Sequence, residues 1–489
     1  MSELNLKFEI MAEKDIENEL LKDDNKKKKK KIILITIIIL IIIFISILLY
    51  KFYPKKNKKI INENNHTNNF KIEFINEMIK KPTKTNNKYE IIKLNNYSII
   101  LINNPNTTQF GFIIYSKIGF HTEIIDGFAH FSEHIFFGGS KENNEKNLTE
   151  LISKYNGYMN AYTDEQDTCF QFNGPNFNLE KIIIVLSDFI KNPKFNEDFI
   201  KNEIISVDSE YKMSNNTESV ISDILKENSN KKHPFSNTQT GHCGNKEILS
   251  KINIKTIISY LRDYFKILFN NENCIFSIYG SQSIDQLKSY ALKYLNFSLG
   301  NPSLEFLNHF NYKYNIIKNE NIFNEDNLGK IAFVNTNREK GIVYFIFEIP
   351  IEEKYKYTFD IMNILLNGNE NNSLRKYLFL NNYAVKIEIE LENILIKTEL
   401  ISIQIYLTDK GVKNYKHIIE AFFAYFNIIK KDLTEELIEN IYQINLINFI
   451  NKEITNPDIV LETGRPIRNY ILFGGENILR YPLKDTYSL

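Results

Sequence analysis

Three residues in one short stretch have the types and the spacing of a zinc-hydrolase centre. His130, Glu133 and His134 lie in an otherwise apolar run that is followed by Gly138-Gly139. Residues four apart on a helix share a face, so His130 and His134 could bind one Zn²⁺ at about 2.0–2.1 Å. Glu133 would lie on the neighbouring face, where it could take a proton from water at the metal. This His-x-x-Glu-His order is the inverzincin signature. The alternative is that the three residues are simply surface neighbours.

A catalytic zinc site normally takes three protein ligands, so a third ligand is needed. The candidate is Glu210, in an acidic stretch 76 residues after His134. Glu203 precedes it by seven residues, which puts both carboxylates on one helix face, about 10 Å apart along the axis. Glu203 is therefore suited to hold a ligand histidine in position. The alternative for both residues is a solvated helix edge.

The helix that carries the two histidines needs a defined start and a scaffold behind it. Asp126 is of a type that caps helix N-termini, and the glycine pair can end the helix. A hairpin turning at Asn95-Asn96 and a strand at 109–118 precede it. Helices are expected at 148–155, 178–190, 197–226, 254–268 and 284–295, and strands at 157–163, 168–172 and 274–279. The order of these elements predicts one domain over 86–298, of α+β class with a mainly antiparallel sheet. With the His-x-x-Glu-His motif inside it, this would be the zinc peptidase domain.

A second domain is expected after an Asn-rich stretch at 299–328, which is interpreted as a linker. The expected order over 329–489 is strands at 330–334 and 342–348, helices at 355–366 and 373–381, strands at 383–391 and 396–407, and helices at 412–430 and 434–451. This order loosely repeats that of the first domain, without a residue-level repeat. The sequence thus predicts two tandem α+β domains, each a mainly antiparallel sheet packed by helices, of which the second is non-catalytic.

Composition and charge narrow the function classes. Lys+Arg and Asp+Glu both total 60, which argues against nucleic acid as a partner. Three cysteines without a Cys-x-x-Cys pair argue against a disulfide framework. An apolar content of 43% is typical of a globular chain.

The N-terminal part of the chain has the pattern of a membrane anchor. Residues 1–31 form a basic, polar tail, and 32–50 are apolar apart from Thr36, Ser46 and Tyr50. A helix of that length spans about 30 Å of hydrocarbon, and 51–85 then reads as a stalk. A buried core helix or a cleaved signal peptide fits the lysine-rich flanks less well. The positive-inside bias predicts a single-pass membrane protein with a cytoplasmic N-terminus and a lumenal or extracellular catalytic part.

The stretch from the paired histidines to the acidic helix resembles the N-terminal half of the insulysin/pitrilysin family of zinc metallopeptidases. Members carry His-x-x-Glu-His and then Asn-Glu-x-x-x-x-x-Ser-Glu, whose last glutamate binds zinc. The matching residues here are His130, Glu133, His134, Glu203 and Glu210. The resemblance covers roughly residues 85–485 and is strongest at 110–240.

A second motif of that family, Gly-x-x-Asn-Ala-x-Thr, is matched at 157–163. In the family it forms an edge strand that binds the peptide substrate by strand addition. The resemblance therefore implies that Asn160, Ala161, Tyr162 and Thr163 bind substrate, with Tyr162 as a wall of a side-chain pocket.

The sequence also departs from the family pattern. Insulysin-like enzymes have four such domains in two bowls, and this sequence supplies an anchor and the first bowl. The Arg and Tyr that the other half gives to the transition state have no counterpart here. The glycine-rich segment that holds a substrate's N-terminus is reduced to one glycine, Gly368. The resemblance therefore leaves open a partner chain that supplies a second half.

These observations together predict a membrane-anchored zinc metalloendopeptidase that cleaves peptides. Zn²⁺ on His130, His134 and Glu210 would activate water, and Glu133 would be the general base. The alternative is a non-hydrolytic peptide-binding or regulatory subunit that needs a partner for the C-terminal half. The intact Glu133 argues against that alternative, since a pure binder needs no base. A metal-free scaffold is hard to reconcile with these acid and imidazole groups.

Overall fold

The predicted α+β class is confirmed, because the chain forms two β-sheets, each packed by helices. The structure is a computed structural model. It describes residues 60–61, 72–75, 79–143, 147–213, 217–237, 246–270, 272–334, 341–350, 358–368, 373–394, 398–452 and 458–483. The expected basic tail (1–31) and transmembrane span (32–50) lie outside these residues. No helix among the described residues is long and apolar enough to cross a membrane.

The first sheet has eight strands in the order β1-β2-β3-β4-β8-β5-β7-β6. They are β1 (Ile60–Ile61), β2 (Ile72–Ile75), β3 (Lys88–Leu94), β4 (Tyr97–Asn103), β5 (Gln109–Ser116), β6 (Tyr158–Thr163), β7 (Thr168–Pro175) and β8 (Cys274–Gly280). Neighbouring strands are antiparallel except for β4 and β8. The mainly antiparallel sheet that the sequence predicts is therefore present, with β6 at one edge.

The hairpin between β3 and β4 shows how local sequence sets the register. Leu94 lies opposite Tyr97, so the turn has two residues. Asn95 and Asn96 have φ angles of 49° and 71°. Asparagine tolerates this left-handed region better than most residues, and a tight two-residue hairpin turn requires it.

Nine helices of the described residues pack with this sheet or follow it directly. They are α1 (Phe128–Phe136), α2 (Leu148–Lys154), α3 (Leu179–Lys191), α4 (Glu197–Met213), α5 (Thr217–Glu227), α6 (Lys246–Leu249), α7 (Ile254–Leu268), α8 (Ile284–Tyr294) and α9 (Leu304–Asn319). One face of the sheet and these helices share a large core that contains Phe112, Phe136 and Phe170. Burial of such large aromatic side chains stabilises the layer, so α1 rests on a rigid support.

The second sheet has three antiparallel strands in the order β10-β11-β9. They are β9 (Ile342–Pro350), β10 (Ala384–Ile394) and β11 (Thr398–Leu407). The helices that follow the first set are α10 (Thr358–Asn367), α11 (Leu374–Leu380), α12 (Asp409–Lys413), α13 (Tyr415–Asp432), α14 (Glu435–Ile450) and α15 (Ile459–Phe473). A separate core joins β9 to α13, where the rings of Phe345 and Phe422 stack with centroids 3.7 Å apart.

Helix α15 returns to the first sheet and covers its other face. Its Ile467 lies in one buried cluster with Ile113 and Ile275 of the central strands. The sequence pattern predicts no helix here, because Gly464 and Pro466 interrupt it. The first sheet is therefore buried on both faces, by α1 and its neighbours on one side and by α15 on the other.

Three other expectations need correction. Residues 299–328, interpreted as a linker, contain the helix α9, whose Phe306 is buried. The expected strand at 330–334 is irregular, and its Ile331 and Phe333 side chains are 65% and 75% exposed. Without a layer that covers it, this short apolar stretch does not form a strand. The single helix expected at 197–226 is two helices, α4 and α5.

Candidate metal centre

The start of α1 is held by a carboxylate, although it is not the expected one. Glu123 accepts hydrogen bonds from the backbone N–H groups of Gly127 and Ala129 at 2.8 and 2.9 Å. Asp126 does not cap the helix; its carboxylate accepts instead from the Asn237 side chain at 2.9 Å. A negative charge at this end satisfies free N–H groups and suits the helix dipole. Glu123 thus fixes the start of the helix that carries both histidines.

His130 and His134 lie one turn apart on α1, with ring centroids 4.8 Å apart. His130 is 5% exposed, and the side chain of His134 is 23% exposed. The apolar residues of α1, such as Phe131 and Phe136, are buried in the core behind them. The core therefore fixes the rotation of the helix, and with it the direction of both imidazoles.

Helix α4 brings a carboxylate to the same point. Glu210 lies with one oxygen 3.3 Å from Nε2 of His134 and the other 3.9 Å from Nε2 of His130. One ligand atom from each of the three residues can be chosen so that all lie within 4.8 Å of one another. Two imidazole nitrogens and a carboxylate oxygen are the donor types that Zn²⁺ takes in catalytic sites, with a further position left open. The donor set therefore fits a zinc ion.

Glu203 contacts the other ring nitrogen of His134. Its carboxylate lies 3.0 Å from Nδ1, and its side chain is 19% exposed. Burial lowers the pKa of His134, but the hydrogen bond to Glu203 and the surrounding glutamates outweigh burial and raise it. With Nδ1–H donated to Glu203, the lone pair of the neutral ring is on Nε2, which faces Glu210. Glu203 therefore selects the tautomer that a metal ligand needs.

Glu133 lies beside this group on the buried side of α1. It is 5% exposed, and the hydroxyl of Thr163 donates to its Oε2 at 2.7 Å. Burial raises the pKa of the Glu133 carboxyl to about 7, and the Thr163 hydrogen bond and the charge of His134 oppose this rise. A carboxyl with a pKa near neutral can both accept and return a proton.

The edge strand β6 carries the other predicted residues on two different faces. Asn160 and Tyr162 alternate with Ala161 and Thr163, and successive residues of a strand point to opposite sides. Ala161 packs against the core under α1, and Thr163 contacts Glu133. Tyr162 lies on the opposite face, where its hydroxyl is 3.5 Å from Asp167. The Tyr162 side chain therefore does not line the face of the sheet that carries the histidines.

Sequence reasoning missed two contacts of this centre, the Glu123 cap and the hydroxyl of Thr163 on Glu133. A signal existed for each. Glu123 is an acidic residue a few positions before the helix. Thr163 is two residues after Ala161 in a predicted strand, so the two side chains are expected on the same face of the sheet. Neither signal identifies the partner, because the partner depends on how the strand and the helix pack.

Comparison with protein families gives two matches. Residues 98–241 match the model described as Insulinase (Peptidase family M16), and 258–445 match the Peptidase M16 inactive domain. The first match contains α1, β6 and α4, and with them every residue of the candidate centre. The second begins within α7 and includes β8, which lies in the middle of the first sheet.

Curated relatives agree with these matches. The chain is 28% identical to the insulin-degrading enzyme homolog of Dictyostelium discoideum, over 72% of this chain and 35% of that protein. It is 26% identical to the A-factor-processing enzyme of Saccharomyces cerevisiae, over 81% of this chain and 38% of that protein. The chain thus spans little more than a third of the length of these relatives.

Two solved structures share the fold. The crystal structure of pitrilysin superposes with a TM-score of 0.66 at 19% identity, covering 84% of this chain and 43% of that one. A protease from Helicobacter pylori superposes with a TM-score of 0.57 at 16% identity, covering 82% of this chain and 92% of that one. Both likenesses describe the fold alone.

Proposed function

Because this chain belongs to the M16 insulinase family of zinc metallopeptidases, we propose that it hydrolyses peptide bonds at the centre on α1 and α4. The observation that carries the proposal is the convergence of His130, His134 and Glu210, whose ligand atoms lie within 4.8 Å of one another. The buried carboxylate of Glu133 lies beside these three residues. It favours a catalytic metal site over a structural one, since a structural site needs no general base.

His130, His134 and Glu210 would hold a zinc ion, with Glu203 orienting His134. When bound, Zn²⁺ supplies a Lewis acid that polarises the scissile carbonyl and lowers the pKa of water toward 7. The protein's own contribution is to hold the donors in place. Helix α1 is fixed by its buried aromatic face, and α4 packs on the same core through Ile200, Ile204 and Val207.

Glu133 would act as the general base. Its carboxylate accepts a proton from the attacking water and returns it to the leaving amine. The pKa of about 7 that burial gives this carboxyl suits both transfers near neutral pH. The positive charge of a bound cation would lower that pKa and favour the accepting form.

The peptide substrate would bind along β6. This strand is last in the order of the first sheet, and its outer edge has no strand partner among the described residues. A peptide added there would be held by backbone hydrogen bonds, which suits a substrate in extended form. Asn160, Ala161, Tyr162 and Thr163 would then contribute mainly through their backbone.

Membrane attachment through residues 32–50 is part of the proposal. It is supported by the length and apolar composition of that stretch and by the lysines on both sides of it. In sealed microsomes the cytoplasmic face of the membrane points outward. With the proposed orientation, protease added to such microsomes would spare the peptidase part, because that part lies in the lumen. Digestion of that part without detergent would reverse the orientation.

A second candidate is a non-hydrolytic peptide-binding or regulatory subunit that works with a partner chain. The observation that favours it is the outer edge of β6, which has no strand partner among the described residues and could hold a peptide without cleaving it. The two candidates differ in one property, since only the enzyme cleaves.

The deciding experiment is an assay of the purified chain with a quenched fluorescent peptide. The enzyme proposal expects cleavage that a chelator abolishes and added Zn²⁺ restores. Peptide binding without any chelator-sensitive cleavage, alone or with co-purified proteins present, would support the second candidate instead.

A further inference from the structure

One hydroxyl outside the group of metal donors contacts the proposed general base. Oγ1 of Thr163 donates to Oε2 of Glu133 at 2.7 Å. The two residues are 2% and 5% exposed, so the hydrogen bond lies away from bulk water. A hydrogen bond to a carboxylate in such surroundings is stronger and more directional than one on the surface.

The fold makes this contact from two elements that are distant in sequence. Thr163 is the last residue of β6 and lies opposite Thr168 of β7. Strand alternation turns its side chain toward α1, on the same face as Ala161. Because the Thr163 side chain is buried, a bound peptide would not reach it, and its contribution must go through Glu133.

We propose that Thr163 is a positioning residue, whose hydroxyl holds the Glu133 carboxylate in the orientation from which it takes a proton. The proposal rests on the function proposed above. A glutamate side chain has three rotatable torsions, so a buried carboxylate without a fixed partner samples several directions. The bond from Thr163 occupies Oε2, so Oε1 is the oxygen that would accept the proton. Proton transfer depends on hydrogen-bond distance and alignment, so loss of this orientation lowers the rate rather than substrate binding.

The chain offers a matched control in the residue opposite Thr163. Thr168 is also a buried threonine, 1% exposed, and its hydroxyl donates to the backbone oxygen of Ile118 at 2.8 Å. Thr168→Val therefore removes a buried hydroxyl at the same level of the same strand pair, but leaves the contact with Glu133 in place. A purely structural role would give both valine variants the same phenotype.

The test measures kcat and KM separately for wild type, Thr163→Val, Thr163→Ser and Thr168→Val, with zinc content determined for each. Thr163→Val is expected to lower kcat about ten- to a hundredfold, as for loss of a hydrogen bond to a charged group, with KM and zinc content unchanged. Thr163→Ser keeps the donor and should restore most of kcat. Thr168→Val should keep kcat near wild type. Equal losses of kcat in the two valine variants, or no loss in Thr163→Val, would overturn the proposal.

A crystal structure of Thr163→Val gives a readout that does not depend on activity. The Glu133 carboxylate is expected to leave its position or to occupy more than one conformer, and a single unchanged conformer would overturn the proposal. If the valine variant does not fold, Thr163→Ala removes the hydroxyl without placing a methyl group against the carboxylate. The two failures are distinct: wild type without chelator-sensitive cleavage refutes the proposed function, whereas an active wild type with unaffected Thr163 variants refutes the positioning role alone.

Discussion

The first region, built on the eight-stranded sheet, and the second region, built on the three-stranded sheet, each contain a histidine beside a glutamate. The two pairs have different surroundings. In the first region, Nδ1 of His134 lies 3.0 Å from Glu203, and the His134 side chain is 23% exposed. In the second, Nδ1 of His417 lies 3.9 Å from Glu420, and the His417 side chain is 49% exposed. Nε2 of His417 bonds to the hydroxyl of Tyr377 at 2.7 Å. A histidine–glutamate pair is therefore not sufficient to make a metal site.

The difference lies in what else reaches the histidine. His134 has His130 one turn earlier on the same face, and Glu210 arrives from another helix. One turn after His417 on α13 comes Ala421, which offers no ligand atom. Among the described residues, the group of three side chains that could hold a metal ion is His130, His134 and Glu210, in the first region. The chemistry of a histidine–glutamate pair thus depends on a few further side chains that reach it, and not on the pair alone.

The largest expected effect separates the two regions by activity. Glu133→Gln keeps the shape of the side chain but removes its ability to accept a proton. We expect cleavage to fall by about 10²–10⁴, with zinc content unchanged. Glu390→Gln is the control in the second region, where the carboxylate accepts from Gln404 at 2.7 Å. Equal peptide cleavage by Glu133→Gln and wild type would show that catalysis does not depend on the first region.

A smaller effect is expected from the orienting carboxylate. Glu203→Ala frees Nδ1 of His134, and loss of such a partner typically weakens metal binding about 10- to 100-fold. Glu197→Ala is the matched control on the same helix, since Glu197 makes only a long, exposed contact of 4.0 Å with Lys201. Zinc affinity is measured by competition with a chromogenic chelator. If both variants bind zinc equally well, Glu203 does not distinguish His134 from His417.

The smallest expected effect concerns the face of the first sheet that α15 covers. Burial raises the pKa of Asp167 from 3.8 to about 7, the charge of Asp164 adds to the rise, and Arg468 of α15 opposes it. The folded chain thus binds this proton more tightly than the unfolded chain. The contribution of Asp167 to the free energy of unfolding is therefore present below about pH 4 and is lost as pH rises to about 7.

Asp167→Asn should flatten this part of the pH dependence. The measurement is urea denaturation of both proteins between pH 4 and 7, with the metal centre kept in the same state by chelator. The same slope in wild type and variant would show that Asp167 is not the group that titrates.

The sequence predicted those features that depend on local pattern. The Asn95-Asn96 turn and the helix with its two histidines follow from residue type and spacing alone. The features it did not predict depend on which elements pack together. Glu123 caps α1 although Asp126 is nearer in sequence, because the preceding turn brings the Glu123 side chain to the free N–H groups. Thr163 meets Glu133 only after β6 and α1 have packed, and no local signal contains that information.

Metal analysis of the purified chain tests the central claim most directly, namely that the first region holds one metal and the second holds none. We expect about one zinc per chain, near-complete loss in His130→Ala and Glu210→Gln, and no change in His417→Ala. Zinc at the wild-type level in His130→Ala, or loss of zinc in His417→Ala, would contradict the account.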